Sequence, residues 1–375
     1  MLSPATEATA LPGGEARFRA LTGLRFLAAA HVVWFHAGPA TGVPALDRVR
    51  GAGWTAVNLF FVLSGFVLAH RYPRLEGPGA VRGFLAARAA RIYPAHLLAL
   101  AGTLVALGAT GALAAWAPGW TGRPLGLALE ALLLHAWVPP TGGVNLPDWT
   151  LSVELGFYAL FPLLLPRLGR RPPGAPAGFA AACVLAYAAA FAVAYAFATG
   201  AGPLPASNAA FGWWNNLPPT RLPAFVLGMA LARYAGEPGG ARLLARHGTA
   251  LALAGAAGAV LVMAVVDLPW PALEVTGTLL LPFHALLVLG LAGGRGPLAA
   301  ALSNGAAGHL GDWSYGVYLY QWPVLVVFRA VAAQPAGRLG AGAFLAYLAV
   351  LVAVSGLVFR GFEDPARRAL RRALA

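Results

Sequence analysis

The stretch Leu21-Thr-Gly-Leu-Arg25-Phe-Leu-Ala-Ala-Ala-His31-Val-Val-Trp-Phe-His36 decides the fold class. It is apolar enough to leave water, yet it carries an arginine and a histidine eleven positions apart. At about 100° per residue, that step returns to nearly the same helix face. The rise between the two is roughly 16 Å, about half of a bilayer's apolar core. An ionisable side chain at membrane depth is costly and needs a partner or a task. One helix face therefore holds a fixed cation at one depth and a proton-accepting base at another. His31 falls on a different face by the same count and reads as structural.

The rest of the chain repeats the apolar character. Of its 375 residues, 59% are hydrophobic and only 10% are charged, against about 25% charged in soluble domains. Mean hydropathy is +0.69. Apolar runs lie near 21–38, 54–70, 94–116, 124–138, 149–166, 176–198, 222–234, 248–266, 272–292, 309–332 and 341–360. The expected fold is all-α, a polytopic transmembrane helix bundle with about ten crossings. One short or re-entrant segment is expected at 124–138, which ends at Pro139-Pro140. Non-helical backbone is tolerated at that depth only inside protein or along a cavity. A single membrane-embedded domain over 1–375 is expected, with tails at 1–18 and 361–375.

The charge is strongly basic, 26 Lys+Arg against 13 Asp+Glu, and every one of those bases is arginine. The arginines gather in short connections: Arg17/Arg19, Arg71 to Arg91, Arg167 to Arg171, Arg233 to Arg246 and Arg360 to Arg372. That placement follows the positive-inside bias and puts both termini on the cytoplasmic side. It also argues against nucleic acid as a partner, since no basic stripe interleaves with stacking aromatics. Met1 to Ala16 has no short apolar core, so no cleaved leader is expected and the first apolar run stays as an anchor. The lone Cys183 lies in an apolar run and reads as a packing residue.

Several short motifs carry chemistry. A neutral imidazole at His36 can take a proton from a hydroxyl as that hydroxyl attacks a carbonyl. Arg88-Ala-Ala-Arg91-Ile-Tyr-Pro94 puts two guanidiniums on one helix face, and paired forks suit phosphate. Arg82 and Arg71 extend the same basic mouth. Binding of lipid headgroups explains those arginines equally well. In Trp149-Thr-Leu-Ser-Val-Glu154-Leu-Gly-Phe-Tyr158, Glu154 is an acid inside an apolar run, and His36 or Arg25 is its natural partner. Asn58-Leu-Phe-Phe-Val-Leu-Ser64-Gly65-Phe offers close helix approach at Ser64-Gly65. There Asn58 either contacts an acceptor hydroxyl or caps a helix. Tyr318, Gln321 and Trp322 share a face, and aromatics with polar tips line sugar sites as well as membrane interfaces. The eight histidines show no metal-ligand spacing, and no phosphate-cradling glycine loop or nucleophile elbow is present.

In this order the motifs resemble the integral-membrane acyltransferase family three, whose members move short acyl groups onto sugar hydroxyls. The matching pieces are Arg25 with His36, Asn58-Leu-Phe-Phe-Val-Leu-Ser-Gly-Phe, Arg88-x-x-Arg91-Ile-Tyr-Pro, Trp149-Thr-Leu-Ser-Val-Glu-x-x-Phe-Tyr, Gly311-x-x-Ser-Tyr-Gly-x-Tyr-Leu and Glu363-x-Pro365. The resemblance implies no permanently bound cofactor, acyl-CoA (acetyl-CoA foremost) as co-substrate, and a sugar or glycan acceptor, lipid-linked or free. It implies a place in the bacterial inner membrane, with membrane lipids as surroundings. It implies His36 as the catalytic base with Arg25 as its companion, and Arg88 and Arg91 in donor binding or helix packing; the reading of the residues themselves adds Glu154 to the catalytic set and Arg82 to the donor mouth. Asn58, Trp149, Tyr318 and Gln321 are then expected at the acceptor. The chain departs from the family at Gln321, where histidine is common. A transporter or flippase for a lipid-linked sugar is the alternative, since Gly/Pro-interrupted segments suit that as well, but paired halves are not visible in the sequence.

Overall fold

The computed structural model describes residues 14–113, 124–138, 143–169, 176–199, 208–268 and 274–374. Every regular element among the described residues is helical. The first helix, α1 (Gly14–Ala37), is followed by α2 (Pro44–Gly51), a 3-10 turn (Ala52–Thr55), α3 (Ala56–Arg71) and α4 (Gly77–Ala109). Next come α5 (Pro124–Ala131), α6 (Trp149–Gly169), α7 (Pro176–Ala198), α8 (Asn208–Asn216), α9 (Pro218–Gly236) and α10 (Pro238–Val265). The last five are α11 (Glu274–Leu291), α12 (Pro297–Ser303), α13 (Gly305–Val331), α14 (Ala341–Val358) and α15 (Asp364–Leu374).

Among the described residues, six helical stretches are long and apolar enough to cross a membrane: Pro44–Arg71, Gly77–Ala109, Leu146–Gly169, Gly178–Ala196, Pro238–Val265 and Ala341–Leu374. Val275–Leu291 is apolar but shorter. The other long helices, α1, α9 and α13, carry Arg25, His36, Arg221 and Gln321. The protein is an integral membrane helix bundle. The expected short segment at 124–138 holds only the eight-residue α5 and a 3-10 turn at His135–Trp137; Pro139-Pro140 lies outside the described residues.

Two boundaries differ from the sequence reading. The arginines at 82, 88 and 91 sit in the first half of α4, whose 33 residues run through Pro94. Arg242 and Arg246 likewise lie within α10. Interior proline kinks such a helix without ending it when neighbouring groups satisfy the freed carbonyl.

α1 runs between α13 and α12 on one side and α3 on the other. Its buried face is Ala20, Leu21, Leu24, Ala28, Ala29, Val32 and Val33. α3 packs tightly on α9, because glycines at 65 and 228 let the two backbones meet: a Cβ on Gly65 would lie 2.0 Å from the Phe225 carbonyl oxygen, and one on Gly228 would lie 2.0 Å from that of Val62. The core is continuous across these helices; within it Phe157 stacks on Phe225, which Phe161 meets edge-on. After α14 a π-helical turn, Phe359–Glu363, redirects the chain into α15, which lies against α4.

Candidate active site

α1, α3, α4, α6 and α13 enclose a cavity of about 460 Å³. Each helix contributes a stripe at helical spacing. α3 gives Val57, Phe60, Ser64, Leu68 and Arg71; α6 gives Thr150, Glu154 and Tyr158; α13 gives Gly311, Tyr315 and Tyr318. From Val57 to Arg71 the stripe rises about 21 Å, so the cavity is a shaft rather than a bowl. Its direction follows from helix neighbours. A Cβ on Gly311 would meet Thr22, and one on Gly53 would meet Phe35, so Arg71 and Val57 mark opposite ends along α1.

One end is basic. Arg25, Arg71, Arg88, Arg91 and Arg367 line the shaft against only two carboxylates, Glu154 and Asp312. The Arg88 guanidinium stands over Tyr72, Phe84 and Tyr158, at 5.7, 5.9 and 5.9 Å from the ring centres. That of Arg91 stands 4.8 Å over Tyr315. Such stacking holds the planar forks in place with their N–H groups still available. Arg367, from α15, closes the mouth beside its partner Asp364, 2.5 Å away. The turn at Glu363-Asp364-Pro365 brings α15, and with it Arg367, to this mouth. Glu363 helps anchor it by accepting the Tyr320 hydroxyl at 2.8 Å.

Arg25 faces Arg91, Glu154, Tyr158 and Arg88 within this shaft. Glu154 accepts the Ser64 hydroxyl at 2.9 Å, and the Tyr158 hydroxyl joins the same group. Glu154 therefore belongs with Arg25 at the basic end. It is not the group that orients His36.

His36 lies beyond the far end of the shaft, half-buried, and is not among its lining residues. Its Nδ1 is 2.8 Å from Gln321 Oε1. Gln321 sits one turn past Tyr318, the last lining residue of α13, and its Nε2 donates to the Tyr318 carbonyl at 2.7 Å. The Tyr318 ring meets Phe60 edge-on at 5.5 Å.

Asn58 and Trp149 are drawn into a separate buried cluster around Arg221, which the sequence reading missed. Arg221 is 1% exposed. Its guanidinium donates to Asn58 Oδ1 at 2.9 Å, to the Tyr187 hydroxyl at 2.6 Å and to Asn215 Oδ1 at 2.5 Å, and its Nε to the Asn215 carbonyl at 2.9 Å. It lies 4.7 Å over Phe191 and 5.6 Å over Trp149. An arginine beside an apolar run was the available signal, but beyond the neighbouring Asn215 its partners come from three distant segments. Arg82 is exposed and lines no part of the shaft. His31 is structural as expected, with Nε2 donating to the Val49 carbonyl at 2.7 Å. Among the described residues, no cluster of three or more His, Cys, Asp or Glu can hold a metal ion.

A family model described as an acyltransferase domain matches residues 18–360. The chain belongs to that acyltransferase family. This membrane acyltransferase is 34% identical to acyltransferase MdmB of Streptomyces mycarofaciens over 396 aligned residues, 96% of this chain and 95% of that protein. It is also 46% identical to protein 2 in the picA locus of Rhizobium radiobacter over 87 residues, 23% of this chain and 43% of that protein. No solved structure matches. The acyltransferase is thus an enzyme that transfers acyl groups.

Proposed function

We propose that the enzyme moves an acyl group, acetyl foremost, from acyl-CoA to a hydroxyl of a sugar or glycan, with His36 as general base. The observation that carries this reading is the shaft itself. It is arginine-rich at one end and leads towards the only imidazole on the Arg25 face of α1.

The donor's phosphates suit the mouth formed by Arg71, Arg88, Arg91 and Arg367, because each guanidinium fork binds two oxygens. An extended pantetheine arm suits the narrow length of the shaft and carries the thioester past Arg25 towards Tyr318. The acceptor approaches from the opposite end, where aromatic and amide side chains gather. His36 takes the hydroxyl proton as the oxygen attacks the thioester carbonyl. The C–O bond forms, the C–S bond breaks, and the leaving thiolate takes the proton back from the imidazolium. The thioester is already activated, so positioning and base help supply the acceleration. Asn58 and Trp149 act on this end through the Arg221 cluster. In this reading the arginine end faces the cytoplasm of a bacterial inner membrane and both termini lie on that side, in keeping with the positive-inside bias.

His36→Ala tests the assignment. Transfer from labelled acetyl-CoA should fall by about 10²-fold or more, with yield and elution in detergent unchanged. A variant that keeps near-normal transfer refutes it.

A further inference from the structure

Pro323 lies inside α13 and has no N–H to give the carbonyl four residues earlier. That carbonyl belongs to Leu319, and an orphaned carbonyl at membrane depth needs another donor. Asn145 supplies it: its Nδ2 reaches Leu319 O at 3.3 Å. One residue before, the Tyr318 carbonyl takes the Gln321 side-chain N–H. With its NH₂ so engaged, Gln321 can present only its oxygen to His36. An amide oxygen accepts and never donates. His36 Nδ1 therefore carries the hydrogen, and the free lone pair is on Nε2, since the bond made by one ring nitrogen fixes the state of the other.

We propose that Gln321 is a positioning residue that holds His36 as its Nδ1–H tautomer, so that Nε2 is the proton-accepting atom, and that Asn145 keeps Gln321 in register by clasping the Pro323 kink. This rests on the acyl-transfer reading for its consequence, though not for its geometry. The clasp is itself rigidly held. Asn145 Nδ2 also donates to Asp148 Oδ1 at 2.7 Å. Asp148 Oδ2 pairs with His96 Nδ1 at 2.9 Å, both side chains being fully buried. His96 Nε2 faces the Glu130 carbonyl at 3.0 Å, and the Glu130 carboxylate takes the backbone N–H groups of Val144 and Asn145 at 2.8 and 2.9 Å. Tyr347 adds a bond from its hydroxyl to the Gln321 carbonyl at 2.7 Å. This chain of contacts stays outside the lining of the shaft. It sets only which nitrogen of His36 is basic and where that nitrogen points.

The full chain, in lipid nanodiscs with ¹⁵N-histidine, gives a direct readout. The His36 signals are identified by their loss in His36→Ala. The wild type should show a neutral, Nδ1-protonated ring, and Gln321→Leu should shift it towards the Nε2–H form. In transfer from acetyl-CoA to octyl β-D-glucoside, Gln321→Leu should lower kcat roughly 10- to 100-fold, the usual effect of losing a histidine's supporting partner, with KM for acetyl-CoA unchanged. Gln321→Glu keeps an acceptor and should restore most of the rate. A wild-type ring protonated at Nε2 overturns the inference without any variant. So does a Gln321→Leu protein whose tautomer and kcat are those of the wild type while His36→Ala is inactive. Activity retained in His36→Ala instead overturns the acyl-transfer reading and leaves the tautomer assignment standing.

Discussion

Replacing Gly65 with alanine tests whether the contact of α3 with α9 is set by backbone approach. The new Cβ would lie 2.0 Å from the Phe225 carbonyl oxygen and 3.0 Å from the Met229 nitrogen, both backbone atoms that cannot swing away. Since contacts under 3.0 Å essentially never occur, the helices must part by about 1 Å. That shift also strains the 2.9 Å bond from Arg221 to Asn58 across the same pair of helices. Overpacking of this kind costs about 1–3 kcal/mol. Thermal unfolding in detergent, followed by tryptophan fluorescence, should show a lowered midpoint. Gly79→Ala, with open space around it, is the control and should match or exceed the wild type. Gly228→Ala strains the same seam from the other side, so the double variant should lose less than the two single losses added together. A Gly65→Ala protein that melts with the control, or strictly additive losses, would refute the reasoning.

Further outcomes follow from the charged groups. Asp148→Asn leaves His96 facing a neutral amide inside the protein, and losing one partner of a buried pair costs about 3–5 kcal/mol. The variant should aggregate or melt early on size exclusion, and wild-type behaviour there would count against the pair. Arg91→Ala should raise KM for acetyl-CoA about 10-fold or more, the worth of a charge-assisted bond, and leave kcat nearly intact. Arg82→Ala should change neither, because Arg82 is exposed and lies outside the shaft. Equal effects from the two would show that bulk positive charge, not the shaft, draws the donor.

Outside the described membrane spans, burial shapes two groups beside the Asn145 clasp. Burial pushes the Glu130 carboxyl up to about 7, opposed by the backbone N–H groups of Val144 and Asn145. Burial also pulls the His135 imidazole down to about 4. Both carry less charge than their types ordinarily do, which suits a segment packed between spanning helices.

Helix boundaries show where an apolar-run reading fails. The run at 94–116 marks only the second half of α4, because arginines and a proline interrupt hydrophobicity without interrupting the helix. Arg88 stands over three aromatic rings, so its stem is packed against apolar surface. Glu154 illustrates the complementary failure. Its need for a partner was legible, but the choice between Arg25 and His36 was not, since helix phase says nothing about which neighbouring helix faces it. Gln321 stood out as a departure from a family pattern and as a residue sharing a face with Tyr318 and Trp322, while its contact with His36 joins two helices far apart in the chain.

The sequence by itself determined that this chain lives in a membrane, that its helices gather arginine at one level, and that Arg25 and His36 share a face. Those are consequences of composition and of the 3.6-residue turn, which are local. Only the tertiary structure decided that Arg25 and Glu154 line one cavity, that His36 pairs with Gln321, and that Asn58 and Trp149 serve Arg221. Each of those pairs joins residues far apart in the chain. Which of several unsatisfied polar groups meet is settled when helices choose their neighbours and their depth, by close backbone approach at positions such as Gly65 and Gly228.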